Sequence, residues 1–143
     1  MNKLYEFKDS LLESIKQDAE RVSINLRAIR SETECRSELP SALFRQEIQL
    51  LLDGAELFVD STNLPSWLLE GSFNADSIDS DPADCDVENT LPVSLRSASG
   101  VDLVLCGLHE GSGDFVTIRV HANSLTLQAL GEPQTLQHTR ASI

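Results

Sequence analysis

The last third of the chain alternates too regularly for a helix. Val116, Ile118 and Val120 fall on one side and Thr117, Arg119 and His121 on the other, which is the two-residue period of a half-buried β-strand. Leu125, Leu127 and Ala129 against Thr126 and Gln128 repeat the pattern. Val101 to Cys106 is a short run apolar on both faces, as a strand central in its sheet would be. Turn-forming residues separate the three: Ser97-Ala98-Ser99-Gly100, then Glu110-Gly111-Ser112-Gly113-Asp114, then Ala122-Asn123. Together they predict an antiparallel meander ending at Gly131-Glu132-Pro133.

The N-terminal stretch carries two periods at once. Leu4, Phe7, Leu11, Ile15, Ala19, Val22, Leu26 and Ile29 recur at helical spacing, while Val22, Ile24, Leu26 and Ala28 alternate with polar neighbours as a strand does. Val, Ile and Asn in 22–26 favour a strand over 21–30. Asp18-Ala19-Glu20 links it to a strand or helix over about 10–17. A helix running through 3–30 would instead make the chain α+β. In the middle, Ser41 could cap a helix closing at Gly54. The favoured alternative is a strand through Ile48, Leu50 and Leu52 that turns at Asp53-Gly54 into Ala55 to Val59 as a hairpin. Trp67 to Phe73 follows as a short strand beyond the turn at Ser61 to Pro65, and Trp67 itself suits either core burial or an exposed aromatic anchor.

A chain of 143 residues is one domain by the usual prior, large enough to bury a core without disulfides. The expected architecture is mainly β: an antiparallel two-layer sandwich or meander of seven to nine short strands in one domain over 1–133. An acidic loop spans 74–90, and 134–143 forms a flexible tail.

Charge is distributed unevenly. Between Gln46 and Leu95 there are eleven carboxylates and no Lys or Arg, which accounts for nearly all of the net charge of −12. A sequence pI near 4.5 argues against binding nucleic-acid backbones or an anionic membrane, both of which need cations on the protein. No apolar run reaches the roughly 20 residues of a membrane helix, and the N-terminus has no secretory-signal core, so a cytoplasmic protein is expected. The three cysteines, Cys35, Cys85 and Cys106, share no metal-binding or disulfide spacing. Free thiols are expected, with Cys106 buried in its strand.

No motif for a phosphate loop, metalloprotease or nucleophile elbow occurs. The acids Asp79, Asp81, Asp84, Asp86 and Glu88 are hard ligands at close spacing, but they miss the glycine and the glutamate of a calcium loop. A solvated loop or a partner-binding loop is the alternative, and no metal, cofactor or catalytic residue is assigned. His109 beside the Gly-rich turn could serve a small metal enzyme, and Thr117, Arg119 and His121 form a small polar patch on a sheet face. The acids Asp76, Asp79, Asp81, Asp84, Asp86 and Glu88 are the expected contact residues for a basic protein partner, steering its approach through their field.

Two stretches resemble a loose pattern in small β-rich bacterial proteins that include the immunity proteins of polymorphic toxin systems: Phe7-Lys8-Asp9-Ser10-x-Leu12-x-Ser14-Ile15 with the strand after it, and the ending from Asp114 to Gly131. What the resemblance implies is a compact β domain without catalysis, in some members plugging a toxin. The function expected is therefore a non-enzymatic acidic binding protein of the immunity or inhibitor type. An accessory domain with solubility-driven acidity, or a small secretion-chaperone-like protein, are the alternatives.

Overall fold

A computed structural model describes residues 2–33, 42–59, 64–75, 79–80, 90–92, 95–97 and 100–136. Every regular element among them is a strand. They are β1 (Asn2–Asp18), β2 (Arg21–Thr33), β3 (Ala42–Asp53), β4 (Glu56–Val59), β5 (Ser66–Ala75), β6 (Asp79–Ser80), β7 (Thr90–Pro92), β8 (Leu95–Ser97), β9 (Val101–His109), β10 (Phe115–Ala122) and β11 (Ser124–Thr135). The mainly β expectation holds, and the helical alternative for residues 3–30 does not.

The helical spacing in β1 has a structural cause. β1 pairs with β2 from Asn2↔Thr33 to Asp18↔Arg21, but the register slips between Glu6 and Leu11 and again between Leu12 and Ser14. Each bulge adds residues to one strand only and resets which side chains face inward. A two-residue period interrupted twice therefore reads as three-to-four spacing. Asp9, at φ 68°, makes the first kink. The buried Ser10 hydroxyl clamps it, donating to the Glu6 carbonyl and accepting the Ile29 N–H at 3.0 Å.

All eleven strands are hydrogen-bonded into one antiparallel sheet in the order β4-β10-β9-β5-β1-β2-β3-β11-β8-β6, with β7 paired to β1. Neither two separate layers nor a simple meander describes it. Only β9 and β10 form the expected hairpin, from Phe115↔Leu108 to Ala122↔Val101. β11 leaves β10 and pairs with β3, from Ser124↔Asp53 to Thr135↔Phe44, and with β8. The predicted hairpin at Asp53-Gly54 is corrected in the same way: β4 pairs with β10, from Ile118↔Val59 to His121↔Glu56, and not with β3. Both edges of β3 are already occupied, by β2 and β11, so the chain beyond Gly54 finds no free ladder to fold back on.

Two bent chains cross the molecule side by side. β3 runs on into β4 while β11 runs back into β10, so one antiparallel ribbon links the β4-β10 end of the sheet order to the β3-β11 pair further along it. At the bend the Asn123 N–H donates to Asp53 O at 2.9 Å and the Ala55 N–H to Glu20 O at 2.8 Å. The sheet thus wraps one core. Leu12, Val22, Ile24, Leu26, Ile48, Leu50, Leu52, Leu103, Leu105, Ile118, Val120 and Leu125 are all sealed from solvent within it. At about 1.5–3 kcal/mol for each large aliphatic side chain fully buried, this cluster is the main stabilising term.

Several boundaries differ from those expected. β11 does not stop at Gly131-Glu132-Pro133. A register shift between Leu130 and Gln134 absorbs them, and Gln134 and Thr135 pair again with Arg45 and Phe44. Buried Gln46 holds that bulge by donating to Gly131 O at 2.9 Å, while its side-chain oxygen accepts from Tyr5 Oη at 2.8 Å and Arg30 Nη1 at 3.3 Å. Within the expected acidic loop of 74–90, Asn74 and Ala75 continue β5, Asp79 and Ser80 form β6 and Thr90 opens β7, and the other residues of that stretch lie outside the described residues.

Candidate functional site

Strands β4, β10, β9 and β5 are consecutive neighbours, and their outer face carries the best-defined grouping of polar and exposed aromatic side chains. Alternation turns Val116, Ile118 and Val120 into the core, which leaves Thr117, Arg119 and His121 outside. Register then fixes their neighbours. His121 lies between Glu56 on β4 and Asp102 on β9; Arg119 lies between Phe58 and Val104; Thr117 lies beside Cys106. Across β5 the rows continue to Asn74, Ser72 and Glu70.

One contact organises this face. The Arg119 guanidinium reaches diagonally to Asp102, Nε to Oδ1 at 3.3 Å and Nη2 to Oδ2 at 3.1 Å. The hydrogen bond from Arg119 holds the Asp102 carboxyl below its usual range, against a smaller push upward from burial, with the positive fields of Arg119 and His121 adding to the depression. Glu56, Phe58, Asp102, Arg119 and His121 line a shallow hollow of about 470 Å³. A smaller one, about 180 Å³, lies further along the face between Glu70, Gly71, Ser72, Val104 and Cys106. Phe58 is 57% exposed and Phe115, at the far end of β10, 68%. Cys106 is a free thiol, half-buried on this outer face and not in the core as its strand pattern predicted. Trp67, on β5 opposite Leu108, is likewise half-buried.

A Ser–His contact tests the catalytic alternative. Ser112 Oγ lies 2.9 Å from His109 Nδ1, yet the same nitrogen also accepts the Ser112 backbone N–H at 3.1 Å. The Asp114 N–H donates to Ser112 Oγ at 3.2 Å, and the Gly113 N–H donates to His109 O at 2.9 Å. These bonds close the β9–β10 turn, and among the described residues no carboxylate is bonded to the ring as the base of a nucleophile's triad requires. Among the described residues no group of three His, Cys, Asp or Glu side chains converges as metal ligands would.

A second charged trio sits on the outer face of β1, β2 and β3. Arg27 Nε bonds Glu47 Oε1 at 2.9 Å and its Nη2 lies 3.7 Å from Glu13 Oε2. The hydrogen bond with Glu47 pushes the Glu13 carboxyl up, with burial and the Glu47 charge acting in the same direction. Burial pushes Glu47 up too, but its hydrogen bonds with Glu13 and Arg27 outweigh that and hold it down.

Of the expected contact acids, Asp79 lies in β6, where it pairs through the backbone with Arg96 of β8. Asp76, Asp81, Asp84, Asp86 and Glu88 lie outside the described residues. Glu56, Phe58 and Asp102 were not singled out by the sequence. For Asp102 a signal existed, because a hairpin turning at 110–114 sets 102 across from 121. For Glu56 and Phe58 none did, since β4 and β10 meet only through the crossing of the bent ribbon.

No family model matches the chain, and neither a curated protein nor a solved structure matches it. Among the described residues no helix is long and apolar enough to cross a membrane.

Proposed function

We propose that this protein is a non-enzymatic, cytoplasmic binding protein that engages a basic protein surface, in the manner of an immunity or inhibitor protein. The observation that carries this reading is the charge map: eleven carboxylates and no Lys or Arg between Gln46 and Leu95. Such a field repels a second copy, repels nucleic acid, and speeds encounter with a cationic partner by about 10–10³-fold. Steering alone does not hold a complex. Exposed Phe58 and Phe115 on the β4–β10 face supply the kind of aromatic area that desolvates at the centre of protein interfaces.

The test compares the parent with a variant in which Asp76, Asp79, Asp81, Asp84 and Asp86 become Asn and Glu88 becomes Gln. Immobilised parent is expected to capture a basic protein from host lysate at about 50 mM salt and release it at about 500 mM, and the variant to capture much less. Equal capture by both, or capture of nothing, would sink the reading.

A further inference from the structure

The second edge of β4 has no partner among the described residues. β4 is Glu56-Leu57-Phe58-Val59, stands at the end of the sheet order, and is hydrogen-bonded on one side only, to β10. Natural sheets guard such an edge with short strands, charged side chains, proline or a bulge. β4 is short and carries one charge, Glu56, but no lysine, proline or bulge. Leu57 and Val59 point toward the core and are only partly covered, and Phe58 on the other face is exposed. Such a strand, apolar on its inner face, with Glu56 and Phe58 on its outer face and one row of backbone donors and acceptors unpaired among the described residues, is a template for another strand.

We propose that β4 is a strand-addition site, on which a short extended segment of a basic partner pairs as the next strand of the sheet. The inference rests on the function proposed above and names the surface and the kind of segment involved. Charge chooses the occupant. Glu56 forms no ion pair among the described residues. The Ala55 bond to Glu20 O brings the β1–β2 turn, with Asp18 and Glu20, to the start of β4. His121 already faces Glu56 from β10, and a Lys or Arg of an added strand would face it from the open side, an opposite-charge cross-strand pair. Apolar residues would cover Leu57, Phe58 and Val59. The fitting segment therefore has one basic residue beside three apolar ones. A second copy pairing through its own β4 brings no Lys or Arg to Glu56 and carries the same −12.

The probe is a synthetic peptide of about ten residues with one lysine beside three valines at its centre and further lysines at its ends, sized to a typical strand. Two controls accompany it, one with the central valine replaced by proline and one with every lysine replaced by glutamate. Amide hydrogen exchange of the full chain is read with and without each peptide. At least about tenfold slowing confined to 56–59 and its neighbours is expected with the lysine peptide and with neither control. Phe58→Lys is expected to weaken peptide binding at least about tenfold while leaving the circular dichroism unchanged.

Peptide binding with no slowing at 56–59, or equal binding of the proline control, overturns the proposal, as does failure of the peptide to bind. Slowing that grows with protein concentration and needs no peptide would assign the edge to a second copy and overturn it too. The function proposed above fails separately: if the parent captures no basic protein in a salt-sensitive way while the peptide still protects 56–59, the edge site stands without that partner.

Discussion

The backbone N–H of Asn123 donates to the carbonyl of Asp53 at 2.9 Å, and this contact marks where two bent strands pass from the β3-β11 pair to the β4-β10 pair of the sheet. On one side of it β3 pairs with β11, and on the other β4 pairs with β10. Everything on the candidate face that involves β4 depends on that corner. If the chain turned back at Gly54 into a hairpin, Glu56 and Phe58 would lie beside β3, far from Arg119 and His121.

Gly54 makes the corner possible, so its replacement is the direct test. It sits at φ +61°, and a Cβ there would collide with the Asn123 side-chain amide and lie 2.8 Å from its Cγ. Gly54→Ala is expected to cost about 1–3 kcal/mol, from the left-handed backbone and from the collision together. Asn123→Gly in that background should recover the collision and leave the backbone part, about 1 kcal/mol. Denaturant midpoints of the parent, the two single variants Gly54→Ala and Asn123→Gly, and the double variant measure this, and a neutral Gly54→Ala would mean the corner relaxes freely.

Gly71 is constrained by packing, not by its backbone angle. A Cβ at this position would lie 2.6, 2.7 and 2.9 Å from three ring atoms of Phe7, whose side chain is itself buried. Gly71→Ala is expected to destabilise by about 1–3 kcal/mol, the usual cost of overpacking. Phe7→Leu also destabilises when made alone, yet the double variant should be more stable than the sum of the two losses predicts. Strict additivity in chemical denaturation would show that the ring moves aside at no cost.

How much of this was legible in the sequence follows from which contacts are local. Strands β2, β10 and β11 announce themselves by alternation, β9 by its mostly apolar run, and the β9–β10 hairpin by its turn. β1 hid behind its bulges, because Asp9 and Ser10 reset the inward face and produced a helical spacing. Pairing partners were harder still. A two-residue period says which side chains face the core and nothing about which strand lies alongside, so chain order alone places β4 beside β3 and β11 beside β10. The Asp102–Arg119 pair was reachable from hairpin register, whereas Glu56 beside His121 was not.

The Asp102–Arg119 pair makes a prediction in solution. Asp102 is expected to titrate below the ordinary aspartate value of 3.8, because the Arg119 hydrogen bond favours its charged form. A depressed pKa contributes stability that is present above the ordinary value and lost as pH falls through the depressed one. Carboxyl carbon shifts followed through an acid titration should show Asp102 with a low midpoint, and Arg119→Ala should move that midpoint up. An unchanged midpoint in the variant would mean the two-pronged contact does not persist in water.

Glu13 and Glu47 make the opposite kind of prediction. Arg27 stands between them and attracts both, yet Glu13 is pushed above the ordinary glutamate value of 4.5, so its hydrogen bond with Glu47 outweighs the pull of Arg27. A raised carboxyl pKa favours the protonated folded form. Its contribution is therefore complete below the ordinary value and is lost as pH rises through the raised one, while the depressed Glu47 contributes above 4.5 and loses that as pH falls. Glu13→Gln keeps an N–H donor for Glu47 and removes the second charge, so it imitates the protonated acid at every pH. Near pH 4 the variant should match the parent, and near pH 7 it should be the more stable of the two, by less than about 1 kcal/mol because both carboxylates are partly in water. Denaturation midpoints at the two pH values decide it. A variant less stable than the parent near pH 7 would show that the pairing of Glu13 with Arg27, not its crowding against Glu47, governs this face.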